Sequence, residues 1–152
     1  MKAQHKKNLL KLADYLDTVK KEKFHMKEFR ANEELIGLWC SDPGFKSLVP
    51  SCGTAACALG HAPALFPRIW KQKLADETYY SGLCRQVFGV WEYSDAWTWC
   101  FDSGWSKRDN TPKGAAKRIR YMVENGVPEN TLRQMNGDAP LCYTRTKKAT
   151  KA

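Results

Sequence analysis

The densest group of chemically versatile side chains in this 152-residue chain is Cys52-Gly53-Thr54-Ala55-Ala56-Cys57-Ala58-Leu59-Gly60-His61. Cys57 and His61 are four residues apart, so on a helix they face the same way, as paired metal ligands do. Cys52, just ahead of that helix, is placed to join them. A zinc site built on Cys52, Cys57 and His61 still needs a fourth ligand, for which Cys84, Cys100 and Cys142 are the candidates. The competing reading makes the cysteines and alanines small core residues at a close helix contact. No C-x-x-C pair is present and the spacing fits no standard zinc motif, so the structural reading is preferred and no cofactor is expected. A Cys–His nucleophilic dyad finds neither an orienting acid nor an oxyanion hole in the pattern. The chain lacks a Gly-rich phosphate loop, an H-E-x-x-H and a G-x-S-x-G motif.

A second constellation joins aromatic and cationic residues: Trp97, Trp99, Trp105, Lys107, Arg108, Lys113, Lys117 and Arg120. Aromatic faces that stack on bases, beside cations that neutralise phosphate, bind nucleotides and single strands. Asn110 and Thr111 stand at a helix start, where free backbone N–H groups attract anions. The expected ligand-binding set is therefore Trp105, Lys107, Arg108, Asn110, Thr111, Lys113, Lys117 and Arg120. Trp97 and Trp99 are divided between core and site.

Net charge supports an anionic partner. The chain carries +9, as +5 over residues 1–30, −3 over 31–105 and +7 over 106–152. Such a field draws nucleotides, nucleic acid or an acidic protein face. Hydrophobic residues at 43% suffice for a core and argue against global disorder. No apolar run approaches the roughly 20 residues that span a bilayer, so no membrane association is expected. The first residues lack the apolar stretch of a secretory signal, so a cytoplasmic location and reduced cysteines are expected.

The elements that must position these residues follow from periodicity. Leu9, Leu12, Ala13, Leu16 and Val19 recur at helical spacing and predict a helix over about residues 6–20. A helical turn at His25–Arg30 puts Met26 and Phe29 on the core, and residues 31–51 read as a loop with a buried Leu35–Trp39 patch. Ser51–Thr54 reads as a turn ending in a helix cap. Asp76 or Thr78 would cap a helix through Phe88, closed by Gly89. Residues 94–105 suit either a helix capped by Ser94 or a strand, with helix preferred. Asp109-Asn110-Thr111-Pro112 opens a helix that Gly126 closes. Its apolar face is Ala115, Ala116, Ile119, Met122 and Val123, and Lys113, Lys117 and Arg120 share another flank. One more turn falls within Pro128–Met135, and Pro140–Tyr143 reads as extended. The expected fold is a mainly α, compact single-domain bundle of about four to six short helices with long loops, with room for a minor β element. The domain spans residues 1–143, and 144–152 forms a disordered basic tail.

Four blocks in this order resemble a family of small proteins of tailed phages, prophages and bacteria. They are Asn8–Leu16, Cys52-Gly53-Thr54-x-x-Cys57-x-x-Gly60-His61-Ala62, Trp97-x-Trp99-Cys100-Phe101, and Asp109-Asn110-Thr111-Pro112-x-Gly114-Ala115-Ala116-Lys117-Arg118-Ile119. The resemblance runs from about residue 8 to 143. It carries no assigned activity and so transfers no catalytic residue. Its members often have Trp at the position of His61, which weakens the zinc reading further. A phage origin implies a non-enzymatic protein that blocks a host-defence protein or sequesters a nucleotide signal. The alternatives are a protein–protein interaction module without a small ligand, and a zinc-stabilised nucleic-acid-binding protein.

Overall fold

The computed structural model describes residues 1–26, 57–75 and 79–144. The Ser51–Thr54 turn, Cys52, Phe29, the Leu35–Trp39 patch, the Asp76 or Thr78 cap and the tail beyond Thr144 lie outside those residues. The chain is mainly helical, and the described residues contain no strand. Among the described residues the α-helices are α1 (Ala3–Thr18), α2 (Ala62–Leu65), α3 (Pro67–Ala75), α4 (Tyr79–Phe88), α5 (Asp95–Phe101), α6 (Pro112–Asn125) and α7 (Thr131–Asn136).

Helix α1 starts three residues earlier than the periodicity predicted and buries Leu9, Leu12, Ala13 and Leu16. Val19 falls one residue past its end, where its N–H bonds the Leu16 carbonyl at 3.1 Å. The α1 stripe packs mainly on α6, which buries Ala115, Ala116, Ile119 and Met122. Helices α4 and α5 complete the core with Leu83, Val87, Phe88, Trp97, Trp99 and Phe101. The buried side chains form one contiguous cluster.

Local chemistry sets the borders of α5 and α6. The Ser94 hydroxyl accepts from the Trp97 N–H at 3.2 Å, and this cap resolves the 94–105 segment as helix. After α5, Asp102 caps a 3-10 turn at Ser103–Lys107 by accepting from the Gly104 N–H at 2.7 Å. Thr111 caps α6 by accepting from the Gly114 N–H at 2.9 Å, with Pro112 at the first helical position. Gly126, at φ 81°, ends α6 in a conformation that side chains with a Cβ avoid. The Pro140–Tyr143 segment is not extended: Cys142–Thr144 form a 3-10 turn, whose entry is fixed by the Gln134 side chain accepting from the Cys142 N–H at 2.8 Å. No described helix is long and apolar enough to cross a membrane.

Candidate functional site

The expected aromatic platform is core. Trp97, Trp99 and Trp105 are buried. The Trp99 indole N–H donates to the Arg118 carbonyl at 2.8 Å and that of Trp105 to the Thr98 carbonyl at 2.9 Å. With their polar atoms satisfied by backbone, both rings bury their faces at little cost. They meet edge to face at 5.3 Å between centroids, and Tyr143 packs on each. Trp105 was expected in the ligand-binding set. It is fully buried, because the 3-10 turn after α5 folds its ring back against Trp99.

Arg118 stands in the middle of this cluster and is also fully buried. Its guanidinium lies 4.3 Å from the Trp105 ring centroid and 5.8 Å from that of Tyr143. One nitrogen, Nη1, reaches Asp109 Oδ2 at 3.3 Å and the Tyr143 hydroxyl at 3.4 Å. Asp109 also accepts from the Tyr143 hydroxyl and the Thr111 hydroxyl, each at 2.7 Å. Burial, the largest cause, pushes the Tyr143 phenol above its usual range, and its hydrogen bond to Asp109 adds to the rise. Arg118 was not singled out from sequence. Its signal was positional: it falls three residues after Ala115 and four before Met122, on the apolar face of α6.

This network also occupies the helix start expected to hold an anion. The Gly114 N–H is spent on Thr111, and the Asp109 carboxylate lies so close that a Cβ at Gly114 would collide with it. The chain thus places its own carboxylate beside the first turn of α6, where it disfavours a second anion. Asn110 is committed too, since its Oδ1 accepts from the Met26 N–H at 2.8 Å. Arg120 is drawn away from the cationic flank to Asp14 at 2.7 Å and Asp17 at 2.6 Å on α1. Asn110, Thr111 and Arg120 are therefore bound into the fold.

Four of the expected residues keep an exposed positive charge: Lys107, Arg108, Lys113 and Lys117. They bracket the start of α6, and Lys113 and Lys117 share a helix face by their spacing. No ion pair involves them among the described residues.

The cysteine block gives no metal centre among the described residues. The Cys57 sulfur accepts from the Gly60 N–H at 3.4 Å, and the His61 ring N–H donates to the Lys23 carbonyl at 3.0 Å. The His61 ring lies parallel to that of Phe24, with centroids 6.2 Å apart, and tilts against Tyr15. Leu59–His61 form a 3-10 turn, and the His61 N–H donates to the Cys57 carbonyl at 3.2 Å. Burial pushes the Cys84 thiol well up and the Cys100 thiol up to about 12, so neither offers a thiolate near neutral pH.

Exposed aromatics occur elsewhere. Trp91 is 62% and Tyr93 86% exposed, on the loop between α4 and α5. The Arg85 guanidinium lies over the Trp91 ring at 4.9 Å, and the adjacent Glu92 carboxylate raises the Tyr93 phenol. The sequence signal was their position between the Gly89 stop of α4 and the Ser94 cap of α5, where alternating aromatics have no helix face to bury.

Neither family models nor curated proteins nor solved structures contain a match to this chain.

Proposed function

We propose that this protein is a non-enzymatic binding protein that engages an anionic partner through Lys107, Arg108, Lys113 and Lys117. The observation that carries the reading is the division of the cations around α6. Arg118 and Arg120 are spent on internal carboxylates, and four others stay exposed at one helix start. Exposed cations without internal partners steer and orient an anionic surface.

Burial of Trp97, Trp99 and Trp105 takes away base stacking. The Asp109 carboxylate, packed against Gly114, puts a negative charge at the first turn of α6. Both facts favour an acidic protein face over a nucleotide signal or a single strand. The resemblance to phage proteins supports a host-defence protein as the target, blocked by occupancy.

A titration with polyglutamate, a single-stranded oligonucleotide and a cyclic dinucleotide tests this. Polyglutamate should bind saturably and weaken with salt, as contacts between exposed charges do. Lys107→Glu combined with Lys113→Glu and Lys117→Glu should abolish binding without changing Tm. Unchanged binding after charge reversal sinks the reading. Oligonucleotide binding tighter than polyglutamate, lost in the same variant, would instead assign the surface to nucleic acid.

A further inference from the structure

We propose that Arg118 is an internal hydration site, in which the Nε–Nη2 edge of its guanidinium binds a water molecule within the cluster of Trp99, Trp105 and Tyr143. A guanidinium holds its donors in a rigid plane, and Nε and Nη2 lie along one edge of it. That edge is the fork that takes oxygen acceptors two bonds at a time. In Arg118 both nitrogens of the fork are buried, and neither has a hydrogen-bond partner among the described residues. The residue as a whole is 0% exposed, so bulk solvent does not reach the fork.

The protein's own acceptors are spent at the other end of the group. Nη1 alone takes the Asp109 carbonyl, the Asp109 carboxylate and the Tyr143 hydroxyl. That carboxylate also accepts from the Thr111 and Tyr143 hydroxyls. The Trp105 ring attracts the charge through its face and offers no lone pair in the guanidinium plane. The indole N–H groups of Trp99 and Trp105 are donors like the guanidinium, and both are bound to backbone carbonyls. Ala115, Ile119 and Met122, its buried neighbours on α6, are apolar.

Charge and burial decide which acceptor fits. Asp109 already sets its carboxylate 3.3 Å from Nη1, so a second anion would meet repulsion and would have to shed its hydration to enter. Water is neutral, small, and has an oxygen that both donors of the fork can share. Leaving two donors of a buried cation unpaired costs more than immobilising one water. Internal waters in folded proteins bind buried polar groups left over in this way.

The test is an NMR measurement on the full chain labelled with ¹⁵N and ¹³C, following the Arg118 Nε–H signal assigned through its side-chain carbons. A bound water should give a nuclear Overhauser cross-peak between that proton and the water line, opposite in sign to an exchange peak in the rotating frame. Tyr143→Phe removes the hydroxyl that could relay such a peak by exchange, and the peak should persist in it. Acetate and inorganic phosphate should leave the Nε–H shift unchanged. Absence of the peak, or its loss in Tyr143→Phe, would overturn the proposal. A saturable shift with acetate or phosphate would overturn it too, by assigning the fork to an anion. Lys107→Glu with Lys113→Glu and Lys117→Glu should leave the peak unchanged, so this result is independent of the anionic partner.

Discussion

Arg118 carries a full charge into the core on three long contacts, at 3.3 to 3.5 Å from Nη1, while Nε and Nη2 have no hydrogen-bond partner among the described residues. Its stability there depends on the Trp105 face and on the Asp109 charge. Removing the carboxylate leaves an uncompensated buried cation, so Asp109→Ala should cost about 3–5 kcal/mol in urea unfolding. Arg120 gives the contrast. Its contacts to Asp14 and Asp17 are shorter, but it is 32% exposed and its partners 73% and 43%. Solvent screens that pair of bridges, and Arg120→Ala should cost at most about 1 kcal/mol. If the two variants destabilise equally, Arg118 is not held by its ion pair.

The boundaries of α6 were legible because each depends on a local residue type: Thr111 as cap, Pro112 at the first position, Gly126 as stop. Ser94 was legible for the same reason. What each side chain faces was not, because the partners are remote in sequence. Asn110 holds the N–H of Met26, 84 residues away, and Arg120 reaches Asp14, 106 away. Periodicity put Lys113, Lys117 and Arg120 on one flank and could not see that α1 brings two aspartates to Arg120. Trp105 was misjudged because its burial depends on a 3-10 turn and on Tyr143, 38 positions on. Gly114 belongs to this scale. Alanine improves helix propensity by about 1 kcal/mol, but here its methyl would strike the Asp109 carboxylate. Gly114→Ala should therefore destabilise by about 1–3 kcal/mol in thermal or chemical unfolding, the cost of overpacking. A stabilised variant would show that the carboxylate moves aside freely.

The whole molecule ties its chemistry to burial, which sets its response to pH. Tyr143 and Cys100 both have raised folded-state pKa values, Cys100 from 9.0 to about 12. A group raised in this way stabilises the fold below its unfolded pKa and withdraws that support as pH rises towards the folded value. Tm should therefore decline between about pH 9 and 12, and less steeply in Cys100→Ala combined with Tyr143→Phe. An identical slope in the double variant would remove both groups from the alkaline transition. The exposed charge is uneven as well: Lys107, Arg108, Lys113 and Lys117 gather around the start of α6. The pairing of α1 with α6 also bears on how the chain is made. Residues 3–18 leave the ribosome roughly 100 residues before residues 112–125, an interval of about 5–20 s at ordinary elongation rates. Throughout it the Leu9–Leu12–Leu16 stripe lacks its main packing partner, although α4, which α1 also contacts, is made earlier. The α1–α6 pairing that dominates the core therefore closes only late in synthesis.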